Sequence, residues 1–199
     1  SPGSLAELPK GARVGTASLR RKAQILQARP DLNITPLRGN IGTRLAKLSP
    51  DTVAATVLAM AGLNRMGYTG PDWQALAPDI MLPAAGQGAL AVQCRADDAT
   101  LIAQLAVLDD VGTRACVMAE RSFLAGLDGS CRTPIAALAY TDPENAQTAL
   151  LRGRLLAEDG TEFVENTCRF DPADLDAADA AGSQLAAELR SRAPHLVTA

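Results

Sequence analysis

Histidine and aromatic residues are nearly absent from this sequence of 199 residues. The one histidine is His195, and Phe, Trp and Tyr together make up 3% of the chain. The four cysteines form no Cys-x-x-Cys pair. Zinc sites and Ser-His or Cys-His catalytic pairs need imidazole, so no metal site is predicted. Isolated cysteines are typical of reduced thiols rather than of a disulfide framework.

Long apolar runs are also missing, since none approaches the ~20 residues that a membrane helix needs. The first residues, Ser1-Pro2-Gly3-Ser4, lack the charged and apolar regions of a signal peptide. These features predict a cytoplasmic protein with no membrane partner. Because the sequence does not begin with Met, we expect it to be a fragment or a processed product.

Lysine is scarce, because 16 of the 19 basic residues are arginine. Residues 13–65 hold seven Arg and two Lys against Asp31 and Asp51, a local charge of +7 in a chain of net charge −3. This imbalance indicates a local anionic ligand, and arginine favours bidentate contacts with carboxylate or phosphate. The same residues contain no aromatic side chain for base stacking and no P-loop, so a nucleic-acid partner is disfavoured and small carboxylates are favoured.

Two kinds of secondary structure are predicted along the chain. The first half alternates strands and helices, as in an α/β sheet, and the second half resembles a smaller α+β unit. Strands are predicted at 13–17, 33–38, 52–59, 89–94, 133–140, 148–157 and 161–170. Helices are predicted at 18–29, 41–48, 98–108, 113–127 and 173–192, and a further helix follows the strand 52–59 and ends at Arg65.

Two glycine turns, each placed between a strand and a helix, carry arginines. They are Gly15-Thr16-Ala17-Ser18-Leu19-Arg20-Arg21 and Arg38-Gly39-Asn40-Ile41-Gly42-Thr43-Arg44. Cations near a helix N-terminus are mildly unfavourable, and a bound anion reverses that effect. Arg65, after the next strand and helix, is a candidate to join them. Solvated surface arginines are the alternative interpretation.

Cys131 lies in Asp128-Gly129-Ser130-Cys131-Arg132-Thr133-Pro134. A thiol beside a cation, in a loop bounded by Gly and Pro, is favoured to be exposed and to have a lowered pKa. The residue types alone leave open whether this cysteine is reactive or structural.

Together these motifs resemble the hydroxymethylbilane synthase family, also called the porphobilinogen deaminases. The two arginine motifs, Leu82-Pro83-Ala84-Ala85-Gly86-Gln87-Gly88 and the segment around Cys131 carry the resemblance, in the family's order. It covers essentially all 199 residues, and the N-terminal third of the family's chain is expected to be missing.

The resemblance implies a fold and a domain organisation. Residues 1–85 correspond to most of domain 2, an α/β domain like those of periplasmic binding proteins. Residues 86–108 correspond to the segment that returns to domain 1, and 109–199 to a small α+β domain 3, a three-stranded antiparallel sheet covered by helices. The full-length family member is expected to be a monomer.

The resemblance also implies a reaction and a set of site residues. Four molecules of porphobilinogen are joined head to tail on a covalent dipyrromethane cofactor, with loss of ammonia, and hydroxymethylbilane is then released by hydrolysis. Cys131 matches the cysteine that holds the cofactor by a thioether. The residues that match cofactor contacts are Thr16, Ser18, Arg20, Arg21, Arg38 and Arg44, and those that match substrate contacts are Arg65, Gln87 and Gly88.

No catalytic residue of the family matches a position in this chain, because the family's catalytic aspartate lies in the N-terminal part. The chain alone is therefore expected to be an inactive fragment of the enzyme. A non-catalytic carboxylate-binding module that uses the same arginines is the alternative function.

Overall fold

The computed structural model describes residues 4–49, 51–69, 73–128 and 133–197. These residues form two compact units. The first contains the described residues up to Met81 together with 133–134 and Leu156–Phe163, and the second contains the rest. Among the described residues, no helix combines the length and the apolar character needed to cross a membrane.

The first unit is built on a parallel sheet of three short strands that alternate with helices. Its elements are β1 (Arg13–Gly15), α1 (Leu19–Ala28), β2 (Asn33–Thr35), α2 (Ile41–Leu45), β3 (Ala55–Thr56) and α3 (Met60–Arg65). The strand order is β2-β1-β3, so β1 is central and pairs in parallel with both neighbours. The loops that follow the three strands therefore meet at one edge of the sheet.

Local sequence signals explain where α1 begins and ends. The Ser18 hydroxyl accepts a hydrogen bond from the Arg21 N–H, as an N-cap does, and Pro30 follows the C-cap residue Arg29. The helix buries Ile25 against Val14, and such burial stabilises a fold by about 1.5–3 kcal/mol per large aliphatic side chain. The predicted helix is confirmed.

The predicted strands of this unit are longer than the observed ones. The strand expected over 33–38 ends at Thr35, because Pro36 has no N–H for the ladder. The strand expected over 52–59 is reduced to Ala55–Thr56.

The second unit holds an antiparallel sheet and longer helices. Its elements are α4 (Ala99–Leu105), α5 (Val111–Gly126), β4 (Ile135–Asp142), β5 (Asn145–Leu156), β6 (Phe163–Phe170) and α6 (Leu175–Arg192). The strand order is β4-β5-β6, and β4 pairs with β5 from Ile135–Leu155 onward. With the α/β first unit, this three-stranded antiparallel sheet with its helices confirms the predicted fold class.

Small residues let α5 and α6 approach closely over the sheet. A Cβ on Gly182 of α6 would lie 2.3 Å from the Ala119 carbonyl oxygen of α5. A Cβ on Gly153 of β5 would lie 2.5 Å from Cζ of Phe123, which is fully buried. The core of this unit therefore requires glycine at both positions.

The strand predicted over residues 89–94 is wrong. Residues 89–95 have no regular structure, and the side chains of Leu90 and Val92 are 102% and 64% exposed. A strand is stable only when it pairs with another, and no described strand pairs with this segment.

Candidate functional site

The candidate site is formed by the three loops at the carboxyl edge of the parallel sheet. The loop after β1 leads into α1, the loop after β2 leads into α2, and the loop after β3 leads into α3. In open α/β sheets this edge is the usual place for a ligand. Both arginine motifs predicted from the sequence lie in these loops and the first turns of the helices that follow.

Thr16 and Ser18 shape the start of α1. The buried Thr16 donates its N–H to the Thr35 carbonyl oxygen at 2.9 Å, which ties the first loop to the second. Its hydroxyl oxygen accepts the Ser18 N–H at 3.2 Å, and the Ser18 hydroxyl accepts the Arg21 N–H at 3.3 Å. These bonds fix the backbone from which Arg20 and Arg21 extend.

Main-chain carbonyl groups hold the side chains of Arg21 and Arg44. Arg21 donates from Nη1 to the Val57 carbonyl oxygen at 2.8 Å, and Arg44 donates from Nε to the Gly39 carbonyl oxygen at 2.8 Å. Among the described residues, neither guanidinium forms an ion pair with a carboxylate. Each bond uses one of five N–H donors, so both cations retain donors for an anion.

Arg21 and Arg44 line one open cleft of about 660 Å³. The other lining residues are Gly39, Asn40, Ile41, Gly42, Leu58, Ala59 and Met66. They come from the loops after β2 and β3, from helix α2 and from the C-cap of α3. The cleft therefore combines apolar walls with two fixed cations, a composition that suits a small organic anion.

The electrostatics of Arg21, which lines the cleft, and of its neighbour Arg20 also favour an anion. Burial, followed by the nearby Arg21 charge, lowers the pKa of Arg20 to about 10. Burial, followed by the nearby Arg44 charge, lowers the pKa of Arg21. Crowded and partly desolvated cations raise the free energy of the folded protein, and a bound carboxylate would relieve that cost.

Arg38 and Arg65 do not line this cleft. Both are exposed, while their chain neighbours Gly39 and Met66 are lining residues. The structure thus brings together Arg21 and Arg44 of the predicted set, and Arg20 is half-buried without being a lining residue. The roles assigned to all five arginines stay predictions.

Gln87 and Gly88 belong to the second unit and are exposed. They follow Gly86, whose N–H donates to the Glu120 carboxylate at 2.6 Å. Cys131 and Arg132 lie outside the described residues. The structure therefore neither supports nor opposes the role predicted for Cys131.

Two described residues, one in each unit, gained no role from the sequence. Asn40 is the N-cap of α2, where its side-chain oxygen accepts the Thr43 N–H at 2.8 Å, and it lines the cleft. An Asn three residues before Thr43 is a recognisable cap signal. Glu120 gave no such signal, because nothing local shows that a carboxylate on a helix is buried.

The described residues contain no group of three or more His, Cys, Asp and Glu side chains placed to hold a metal ion. What they do contain is a glycine turn, a helix start and paired arginines at the carboxyl edge of a parallel sheet. Fold and site together define an α/β domain with an arginine-lined cleft at the carboxyl edge of its sheet.

Comparison with known proteins identifies the family. Residues 1–103 match the family model "Porphobilinogen deaminase, dipyromethane cofactor binding domain", and residues 114–191 match "Porphobilinogen deaminase, C-terminal domain". The chain belongs to the porphobilinogen deaminase family, which confirms the resemblance seen in the sequence.

Individual relatives agree over nearly the whole chain. It is 48% identical over 191 residues to porphobilinogen deaminase of Nitrobacter winogradskyi, covering 96% of this chain and 58% of that protein. The corresponding values for the Paracoccus denitrificans enzyme are 49%, 191 residues, 96% and 59%. For the chloroplastic enzyme of Oryza sativa they are 45%, 190 residues, 96% and 52%. The chain thus spans between half and three-fifths of the length of these relatives.

Proposed function

We propose that this chain is part of a hydroxymethylbilane synthase. The complete enzyme joins four porphobilinogen molecules head to tail, releases ammonia at each step and then hydrolyses off hydroxymethylbilane. The proposal extends the reaction that the family resemblance implies to the protein that contains this chain.

The arginine cleft is the observation that carries the proposal. Each pyrrole ring of the substrate bears acetate and propionate groups, so the growing product accumulates negative charge. Arg21 and Arg44 present fixed guanidinium groups at one cleft, and the lowered pKa of Arg21 reflects burial and the proximity of Arg44. Guanidinium groups bind carboxylates with two parallel hydrogen bonds, which suits a ligand with several carboxylates.

The guanidinium N–H donors of Arg21 and Arg44 also fit the dipyrromethane cofactor, which carries acetate and propionate groups like those of the substrate. When bound, this group supplies the pyrrole end to which the first porphobilinogen is joined. We assign its thioether attachment to Cys131, because a soft thiolate forms a permanent covalent bond to a carbon electrophile. We assign the binding of its carboxylates to the arginines of the two motifs, Arg20, Arg21, Arg38 and Arg44.

The remaining assignments follow the same resemblance. Thr16 and Ser18 orient the start of α1 for the cofactor, and their hydrogen bonds to the backbone support this role. Arg65, Gln87 and Gly88 contact the incoming porphobilinogen. The catalytic aspartate lies in a part of the enzyme that this chain does not include.

The proposed domain organisation has three parts. Residues 1–85 form most of domain 2, residues 86–108 return to domain 1, and residues 109–199 form domain 3. The exposed side chains of Leu90, Val92 and Val107 support a partner surface for the middle segment. The complete enzyme is proposed to be a cytoplasmic monomer, and the free Cys94, Cys116 and Cys168 suit a reducing compartment.

The test of this proposal uses two proteins. One is the 199-residue chain, and the other is the same chain joined to the N-terminal remainder of the Nitrobacter winogradskyi relative. We expect the joined protein to consume porphobilinogen over many turnovers and the chain alone to show none. A joined protein that binds porphobilinogen but carries no cofactor and consumes none would instead support the carboxylate-binding module.

Matched arginine variants connect turnover to the cleft. Arg44→Met removes a cation that lines the cleft, and we expect turnover to fall by about tenfold or more for the loss of a charge-assisted contact. Arg13→Met is the control, because Arg13 is exposed and does not line the cleft. Equal losses in both variants would contradict a localised carboxylate site.

A further inference from the structure

The edge of β4 that faces away from β5 donates hydrogen bonds to the Pro83 carbonyl oxygen and to the Glu120 carboxylate. β4 is an edge strand in the order β4-β5-β6. The Ala137 N–H donates to the Pro83 carbonyl oxygen at 3.1 Å, and the Ala139 N–H donates to Oε1 of Glu120 at 2.7 Å. The segment that begins at Pro83 therefore runs along this edge, with the Glu120 side chain beside it.

The Glu120 carboxylate links that segment to the sheet. Its second oxygen, Oε2, accepts the Gly86 N–H at 2.6 Å, so one carboxylate joins α5, β4 and the 83–86 segment. Glu120 is 5% exposed. Burial raises the pKa of this carboxyl, while the N–H groups of Ala139 and Gly86 oppose that rise.

Burying a charged carboxylate raises the free energy of the folded protein relative to a neutral side chain of the same size, unless hydrogen bonds compensate. Among the described residues, no arginine or lysine forms an ion pair with Glu120. Two main-chain N–H groups are its hydrogen-bond donors, and they lie far apart in the sequence. The carboxylate is suited to this position because each of its two oxygens accepts one N–H, whereas the amide of glutamine would place its NH2 donor against one of those N–H groups.

The anchored residue directly precedes two residues proposed to contact substrate. Gly86 has φ +72°, a left-handed conformation that L side chains rarely adopt. The Gln87 N–H donates to the Ala84 carbonyl oxygen at 3.2 Å, which closes a turn around Gly86. Gln87 and Gly88 themselves are exposed. The turn and the hydrogen bond to Glu120 therefore determine the direction of the backbone at these two residues.

We propose that Glu120 is a positioning residue that fixes the Gly86–Gly88 backbone so that Gln87 and Gly88 contact the carboxylated pyrrole substrate. This inference rests on the proposed function. It assigns a role to a side chain that touches no substrate and acts through the Gly86 N–H.

The first measurement is amide hydrogen exchange in the 199-residue chain, which needs no activity. Gly86 lies in irregular structure, so an unanchored amide there would exchange at the rate of a free peptide. We expect the Gly86 amide to be protected in the unchanged protein and to exchange at least about tenfold faster in Glu120→Gln, the factor expected for one lost charge-assisted hydrogen bond. Free-peptide exchange in the unchanged protein would overturn the proposal, even if the variant failed to fold.

The second measurement separates positioning from a purely structural role. In the joined protein described above, Glu120→Gln is expected to raise the KM for porphobilinogen several-fold, with kcat within about twofold and the cofactor fully attached. Glu144→Gln is the matched control, because Glu144 is exposed, and we expect its kinetics to be unchanged. Faster exchange at Gly86 with an unchanged KM would show that Glu120 only stabilises the fold, and would overturn the proposal.

The two measurements also distinguish this inference from the proposed function. If the unchanged joined protein fails to consume porphobilinogen, the proposed function is refuted and the substrate role of Glu120 falls with it. The exchange rates still decide whether Glu120 anchors Gly86.

Discussion

Two arginines of helix α1 are expected to have opposite effects on stability. Arg20 lies in the first turn, where it is half-buried beside Arg21. Arg29 is the C-cap residue, where its guanidinium donates to the carbonyl oxygens of Leu5, Ala6 and Leu8 at 2.9 Å. We predict that Arg20→Met stabilises the protein and that Arg29→Met destabilises it.

The magnitude for Arg20 follows from its pKa. Burial and the Arg21 charge lower that pKa from its ordinary value to about 10, and each unit of pKa corresponds to about 1.4 kcal/mol. Since solvent screens a half-buried charge, we take about 1–2 kcal/mol as the cost of keeping Arg20 charged in the folded protein. Methionine keeps the apolar stem and removes the charge, so the free energy of unfolding should rise by up to that amount.

The sign for Arg29 is opposite because its contacts are favourable. Besides the three carbonyl groups, its Nε and Nη2 donate to the Asp31 carboxylate at 2.7 and 2.8 Å. These contacts raise the pKa of Arg29, chiefly through the hydrogen bond to Asp31. Methionine would leave Asp31 and the carbonyl groups without this donor, and the free energy of unfolding should fall.

Thermal unfolding of the 199-residue chain at pH 7, followed by circular dichroism, measures both effects. For a unit of fewer than about 100 residues, 1 kcal/mol corresponds to roughly 4–8 °C in Tm. Arg20→Met should therefore raise the Tm of the first unit by several degrees, and Arg29→Met should lower it. If both variants lowered the Tm equally, the charge of Arg20 would stabilise the fold and the argument from its lowered pKa would be refuted.

Three further predictions use other parts of the first unit. Arg21→Leu in the joined protein should prevent cofactor assembly or early elongation, because a carboxylate loses its charge-assisted partner. The result would be protein of unmodified mass, or protein that carries the cofactor and does not consume porphobilinogen; fully loaded and active protein would contradict the assignment. Gly160→Ala should lower the free energy of unfolding, measured with urea, far more than Gly67→Ala does. Both glycines have positive φ, but a Cβ at Gly160 would lie 2.5 Å from the Gln27 main-chain nitrogen, whereas a Cβ at Gly67 would meet nothing within 4 Å. Equal losses would refute that close approach. The hydrogen bond from Arg29 lowers the pKa of Asp31 from 3.8 to about 2. Asp31 should therefore contribute stability above pH 3.8 that is lost as the pH falls through about 2. In acid titrations of the Tm, an Asp31→Asn variant should show no such loss.

The sequence predicted the elements that depend on local signals. Ser18 and Pro30 bound α1, and the strands predicted over 148–157 and 161–170 correspond to β5 and β6. The strand predicted over residues 89–94 failed because strand formation depends on a neighbouring strand, which residue types within one segment cannot supply.

The sequence predicted a candidate site but not how the arginines of helix α1 differ. Arg20 and Arg29 lie nine positions apart on one helix, and only tertiary contacts show that carbonyl groups surround Arg29 while Arg20 lies beside another cation. Glu120 is a similar case. Its partners Gly86 and Ala139 are distant in sequence, so no spacing rule points to a buried carboxylate.

The mass of the protein tests the central claim most directly. The joined protein, purified without denaturation and digested for peptide mapping, should carry two porphobilinogen-derived rings on the peptide that contains Cys131. Cys131→Ser should have the unmodified mass and no activity, whereas Cys116→Ala and Cys168→Ala should keep the adduct. An adduct on any other cysteine, or active protein with no adduct, would contradict the account.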